Sequence, residues 1–407
     1  MLKLIQINVV ANSGSTGKIA EQIGRMAQNN GWKCYMAYGR WVYNSSLELY
    51  KIGSKKDIYL HGIKSILFDK HAFGSKKATE ALIYWIQEIN PDIIHIHNIH
   101  GYYLNLPILF DFLANLGKPI VMTLHDCWTV TGHCVHFQDI GCYKWINGCN
   151  HCPNLKGYPK SFLLDNSRNN WNIKKESFHK ILPLLTIVPV CNWLENVISQ
   201  SYLKHASRKV IVNGIDLNVF KPNENISNIK SKYQIRDKFV ILAVSNVWNV
   251  TKGWNDVLWL REQMSDDVTF IIVGVSLKQK KNLPKGIIGI CHTEDVNELV
   301  ELYSMADVFV NPTYQDTLPT VSIEALACGT PVVSYDTGGS SDIIDENVGR
   351  LVKRGSRDLL LSSIDKIKDI GKENFYKKCR EKAEMHFNKE DRYKEYMQLY
   401  YQLIRFK

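Results

Sequence analysis

Short runs of β-branched and aliphatic residues alternate with longer stretches of helical periodicity from one end of this chain to the other. Strands separated by helix-length segments cannot pair as tight hairpins, so they line up as parallel sheets built from βαβ units. In the first half the runs are Leu2–Val10, Lys33–Tyr38, Asp92–His97, Pro119–Leu124 and Leu184–Val190. A second set comprises Lys209–Val212, Lys238–Ser245, Val268–Gly274, Gly286–Ile290, Asp307–Val310 and Pro331–Ser334. With 407 residues the chain is long enough for two cores. The expectation is an α/β protein of two Rossmann-like, doubly wound domains spanning 1–208 and 209–385, with the turn-rich Asn213-Gly214-Ile215-Asp216 just after the boundary. The tail from about 372 reads as continuous helix, and its last part, 386–407, is expected to pack back toward the N-terminal domain.

Charge is uneven. Residues 1–200 hold 20 Lys and Arg against 13 Asp and Glu, an excess of seven, whereas the remainder is nearly balanced. A basic surface of this kind suits nucleic acid, anionic lipid or a phosphorylated substrate, and a solvated face without a partner is equally compatible. The stretch from Tyr59 to Lys77 interleaves Lys with Ile, Leu and Phe, as an interfacial helix does, although an amphipathic core helix has the same composition. No apolar run approaches the roughly 20 residues of a spanning helix. The chain opens on a strand-like run instead of a secretory signal, so a cytoplasmic location is expected, peripheral on the inner face of the plasma membrane if the basic stretch binds lipid.

Two segments carry the pattern of an anion site. After the first strand, Asn12-Ser13-Gly14-Ser15-Thr16-Gly17-Lys18 leads into a helix, and the free amides of Gly14, Ser15 and Thr16 at its N-terminus suit a diphosphate. The loop is not a phosphate-binding loop of the Walker type, since Asn12 and Ile19 stand where that motif needs other residues, nor does Gly14-x-x-Gly17 complete a dinucleotide fingerprint. In the second half a strand at 306–310 is followed by Asp316-Thr317-Leu318-Pro319-Thr320-Val321-Ser322-Ile323-Glu324. Pro319 starts a helix whose Thr320 and Val321 amides face an anion, and the carboxylates of Asp316 and Glu324 can accept hydrogen bonds from sugar hydroxyls. A helix-capping Asp and a solvated Glu would explain the same two residues.

These motifs resemble the retaining glycosyltransferases of family 4, whose E-x7-E signature occupies the place of Asp316 and Glu324. The likeness extends to Asn213-Gly214-Ile215-Asp216, Lys252-Gly253 and the run Glu324 to Val333, and, toward colanic-acid and other surface-polysaccharide enzymes, to Ile94–Gly101 and Thr123-Leu124-His125-Asp126-Cys127-Trp128. It implies a GT-B fold with two domains facing a central cleft, a nucleotide-sugar donor, a carbohydrate or lipid-linked oligosaccharide acceptor, and chemistry that needs no metal cofactor. It further implies that Glu324 binds the donor ribose, Asp316 the transferred sugar and Lys252 the leaving diphosphate. Leu318 and Pro319 belong to the same donor loop. His125 would touch the transferred sugar, with His100, Gly101 and Asp126 on the acceptor side. Two positions depart from the pattern: Asp316 replaces a glutamate, and Val247 stands where many relatives have an arginine.

Cys134, Cys142, Cys149 and Cys152, spaced C-x7-C-x6-C-x2-C, fall in an insertion near 127–160. Structural zinc, buried free thiols and a redox pair at Cys149-x-x-Cys152 compete for them. The rival functions are a nucleotide-sugar epimerase of the same fold and, from another class, a zinc-bearing nucleic-acid-binding protein. With the family resemblance no nucleic-acid partner is expected.

Overall fold

The computed structural model describes residues 1–235 and 238–405. The chain divides into two compact units, one of residues 1–212 together with 393–407, the other of residues 213–392. Residues 236–237 of the expected second domain and 406–407 of the expected tail lie outside the described residues.

The first unit is built on β1 (Lys3–Asn8), β2 (Lys33–Tyr38), β3 (Glu48–Lys51), β4 (Ile93–Ile96), β5 (Ile120–Leu124), β6 (Leu185–Pro189) and β7 (Ser207–Arg208), in the order 3-2-1-4-5-6-7. All pairings are parallel, with Ile5 opposite Tyr35 on one side of β1 and opposite Ile94 on the other. Helices pack on both faces, which is why Leu4, Ile5 and Ile7 are all buried although successive side chains point opposite ways. The strand order reverses between β1 and β4, and the crevice at their carboxyl ends is where such sheets hold ligands.

The second unit repeats the plan with β8 (Phe239–Val244), β9 (Val268–Val273), β10 (Ile287–Ile290), β11 (Val308–Asn311), β12 (Val332–Tyr335) and β13 (Gly349–Val352), in the order 10-9-8-11-12-13. Its reversal lies between β8 and β11.

Two local expectations need correction. Lys209–Val212 does not open the second sheet. It continues beside β6, where Lys209 N donates to Ile187 O at 3.1 Å and Ile211 N to Pro189 O at 3.2 Å, so it belongs to the first unit. Nor is the tail one helix: Glu373–Phe387 and Lys389–Arg405 are separated at Asn388. The break has a physical cause, because Ile215 N donates to Phe387 O at 2.8 Å and Lys389 N donates to Ile215 O at 3.0 Å, drawing the backbone out of its helical ladder. From Tyr393 onward the last helix joins the first unit, where Tyr396, Met397 and Tyr400 pack with Leu4, Ile93 and Val121.

Candidate functional site

In the first unit a small pocket lies at the ends of β4 and β5, lined among others by His97, His100, Thr123, His125, Asp126 and Trp128. Period two along β4 sends His95 and His97 to one face. Both are buried, yet they do different things: His95 is bound to Tyr400 Oη at 2.6 Å and Thr123 Oγ1 at 2.8 Å, whereas His97 faces His125.

Hydrogen-bond directions settle the state of His125. Gln6 Nε2 lies 2.8 Å from Ala20 O, a carbonyl that only accepts, so the amide oxygen of Gln6 is turned toward His97 Nε2 at 3.0 Å. His97 Nε2 must therefore donate. Burial holds the His97 pKa well below its usual value, helped by the neighbouring His95 and His125, so its ring is neutral and Nδ1 carries a lone pair. That lone pair, 3.2 Å away, accepts from His125 Nε2. Burial lowers His125 to about 4, against the opposing pull of Asp126, and the neutral ring keeps its own lone pair on Nδ1. His125 is thus a fixed acceptor at the strand end, oriented by Gln6 through His97. Imidazole nitrogen NMR at neutral pH should show one tautomer, protonated at Nε2. Gln6→Met should mix the two tautomers while leaving the fold intact, and a protonated Nδ1 in the unaltered protein would contradict the chain of bonds.

His100 Nε2 meets Asp126 Oδ2 at 2.6 Å, and Trp128 N donates to Asp126 Oδ1 at 2.9 Å. Burial alone would raise the Asp126 carboxyl, but the charge and hydrogen bond of His100 outweigh it and hold it at about 2. Gly101, with φ +123°, donates its amide to His71 Nε2 at 3.0 Å. A Cβ there would meet the Val9 side chain at 2.4 Å, so this turn needs glycine. Gly14, Ser15 and Thr16 occupy the first turn of the helix Gly14–Asn29, which has no acidic residue in that turn to compete for an anion.

In the second unit backbone packing brings Lys252 to Asp316. Gly253 turns back with φ +76°, and a Cβ on it would overlap Pro312 O, so the turn at 250–253 lies directly on the end of β11. Tyr314 N donates to Thr251 O at 2.8 Å, and this brings Lys252 Nζ to 2.7 Å from Asp316 Oδ2. The other side of the loop is fixed by Gly339 N on Thr317 O at 2.8 Å. Leu318 is buried, Pro319 precedes the helix Thr320–Ala327, and Thr320 and Val321 form its first turn. Glu324 Oε2 accepts from Tyr303 Oη at 2.9 Å. Val247 is exposed.

Cys134, Cys142, Cys149 and Cys152 line one small cavity with Thr131, His133 and Phe137, and all four are free. As the side chains stand, no group of three or more His, Cys, Asp or Glu among the described residues is arranged to hold a metal ion. Cys149 Sγ accepts from Gly132 N at 3.1 Å, and His133 Nδ1 is held by Asp69 Oδ1 at 2.6 Å. The insertion is tied down by a lysine of the helix Ser167–Ile181 that follows it. Lys174, fully buried, donates to Trp128 O at 2.7 Å and Thr131 O at 2.8 Å and lies over the Trp128 ring. Burial lowers its pKa to about 7.

Residues that sequence reasoning passed over are Gln6, His71, Tyr303 and Lys174. A glutamine in a strand, like a lysine in a helix, gives no local sign of the bond it makes far along the chain.

Comparison with known proteins places these observations. Residues 225–386 match the family described as Glycosyl transferases group 1. Over 376 residues the chain is 24% identical to the putative colanic acid biosynthesis glycosyl transferase WcaC of Escherichia coli, covering 86% of this chain and 87% of that one. It is 25% identical to the UDP-Gal:alpha-D-GlcNAc-diphosphoundecaprenol alpha-1,3-galactosyltransferase of Escherichia coli, over 48% of this chain and 55% of that one. Among solved structures, a sucrose-phosphate synthase from Thermosynechococcus elongatus superposes with a TM-score of 0.72 at 17% identity, covering the whole of both chains. Two Rossmann-like sheets of this order, with that match across the second unit, make the chain a glycosyltransferase of the GT-B fold that carries a glycosyl transferase group 1 domain.

Proposed function

We propose that this enzyme moves a sugar, with retention of anomeric configuration, from a nucleotide-sugar to a carbohydrate carried on a lipid diphosphate, in the synthesis of a bacterial surface polysaccharide. The observation that carries the reading is the Lys252–Asp316 pair at the mouth of the Thr320–Ala327 helix. Departure of a nucleoside diphosphate concentrates negative charge on the leaving oxygen. A fixed ammonium and a helix N-terminus are the groups that stabilise it. In this reading the diphosphate takes Lys252 and the Thr320 and Val321 amides, the transferred sugar takes Asp316, and the ribose takes Glu324 in its bond with Tyr303. In the first unit His125 Nδ1 offers its lone pair to a sugar hydroxyl, and His100, Gly101 and Asp126 serve the acceptor. Same-face attack, with the leaving phosphate taking the acceptor proton, accounts for retention with the residues present. The two Escherichia coli relatives, whose names carry colanic acid and a diphosphoundecaprenol acceptor, support the choice of polysaccharide and lipid carrier.

Incubating the purified chain with UDP-, GDP- and dTDP-sugars tests the proposal. Slow hydrolysis of one donor with retained configuration is expected. Indifference to every donor, or inversion, would overturn it.

A structural zinc at the cysteine cluster is a separate proposal, supported by the convergence of four thiols on one cavity. The Gly132 amide, which donates to Cys149 Sγ at 3.1 Å, can keep that bond to a zinc-bound thiolate. Elemental analysis of untagged protein should find about one zinc per chain, and metal-free protein with an unchanged melting temperature would dismiss it.

A further inference from the structure

The helix Lys55–Phe68 of the first unit fully buries two polar residues and leaves large apolar ones exposed. Its buried positions are His61 and Ser65, while Tyr59, Leu60 and Phe68 are 70%, 58% and 42% exposed. An ordinary surface helix turns its apolar stripe to the core. Here the inward side is committed to polar bonds: His61 Nε2 accepts from Ala72 N at 3.1 Å and Gly74 N at 3.2 Å, and its Nδ1 meets Ser75 Oγ at 2.9 Å. Ile58, Ile63, Ile66 and Leu67 are half-buried beside these polar groups, and Tyr59, Leu60 and Phe68 are left on the outside.

A second exposed apolar group is joined to the first. Phe162 N donates to Ile66 O at 2.8 Å, setting the loop 158–164 against the helix, and Phe162, Leu163 and Leu164 follow one another at 67%, 67% and 52% exposure. The loop is anchored. Ser161, buried, donates from its backbone to Leu155 O at 2.8 Å and from Oγ to Leu164 O at 2.6 Å, so the three side chains are held outward. A ridge of this kind on a soluble surface marks an interaction site.

Charge identifies the partner. Lys55, Lys56, Lys64 and Lys160 are exposed around the ridge. Asp57 is engaged in the helix cap with Ser54, Asp69 is buried against His133, and the exposed Asp165 beside Leu164 is held by the amides of Cys152 and Ser167, leaving lysines in excess. Apolar side chains rimmed by lysines fit the interface of an anionic bilayer, the apolar groups entering the acyl boundary and the ammonium groups staying with the headgroups. Two copies of the chain meeting through this face would bring like charges together. The loop also leads inward, since the Tyr158 ring lies 5.9 Å from that of His100, on the acceptor side of the pocket.

We propose that Tyr59, Leu60, Phe68 and Phe162–Leu164, with their ring of lysines, form the surface by which this enzyme docks on an anionic membrane, bringing the lipid-bound acceptor to His100 and Asp126. The proposal rests on the reading of a lipid-linked acceptor given above.

Flotation of the full chain with vesicles of phosphatidylcholine alone or mixed with phosphatidylglycerol tests it. The chain should float with the mixed vesicles and less at high salt, because lysine attraction is screened over about 8 Å at physiological ionic strength. The triple variant Phe162→Ser, Leu163→Ser, Leu164→Ser should lose at least tenfold in vesicle binding while hydrolysing donor at the unaltered rate. Leu163→Trp in the otherwise unaltered protein gives a second readout, a blue shift on mixed vesicles in the emission it adds to that of the native tryptophans. Failure to float with either vesicle, no such shift in the Leu163→Trp variant, or a dimer in sedimentation abolished by the triple variant would overturn the proposal. Donor hydrolysis separates the two ideas: an inert chain that floats sinks the transferase reading, and an active chain that stays in solution sinks this surface.

Discussion

Glu324→Gln and Asp316→Asn are each expected to cut turnover about ten- to a hundredfold, the effect of losing a charged hydrogen bond of roughly 1.5–3 kcal/mol. The melting temperature should hardly move. Glutamine at 324 retains an oxygen that can accept from Tyr303 Oη, now 2.9 Å from the carboxylate, so the helix Thr320–Ala327 keeps its tie to Tyr303. At 316 the lost ion pair is partly exposed, 34% on Lys252 and 25% on Asp316, and such pairs contribute little to stability. Steady-state kinetics on the donor found in the panel, beside thermal melts, checks both halves. Near-native turnover in both variants would remove these residues from the donor site.

Lys252→Ala should have the larger effect on chemistry. Removing one preorganised charge partner of a developing anion typically costs about a hundredfold or more in kcat. Val247 provides no second cation five residues before Lys252. Binding of the nucleoside diphosphate should weaken as well, measurable by calorimetry, and Val247→Arg in that background should recover part of the loss. Because Lys252 Nζ and Asp316 Oδ2 are 2.7 Å apart, the two substitutions should not add: once either partner is gone, removing the other costs less than it does alone. Additive losses would mean that the pair does not act as one unit.

How much of this was legible beforehand can be judged strand by strand. The runs at Lys33–Tyr38, Val268–Gly274 and Pro119–Leu124 stand where strands form, because a strand buried on both faces is a continuous apolar run whatever surrounds it. Three short strands were not legible. Glu48–Lys51 is mostly exposed and polar, Ser207–Arg208 has two residues, and Gly349–Val352 begins on a glycine, so each is a strand only because a neighbour offers it an edge. Lys209–Val212 showed the reverse error: a β-branched run beside a boundary says strand without saying whose sheet it joins.

The sequence by itself determined the parallel α/β plan and the adjacency of Asp316, Pro319 and Glu324, since each depends on residues within a few positions of one another. Only the tertiary structure decided that Gln6 sets the tautomer of His125 through His97, 91 positions away, and that Tyr400 joins His95 across 305 positions. It alone decided that Lys252 meets Asp316 and that Tyr59, Leu60 and Phe68 of the helix Lys55–Phe68 face outward. The physical reason is common to all of these. Backbone periodicity is local and leaves its mark in composition, whereas a hydrogen bond between distant side chains depends on strand order, and strand order is settled by the packing of the whole sheet.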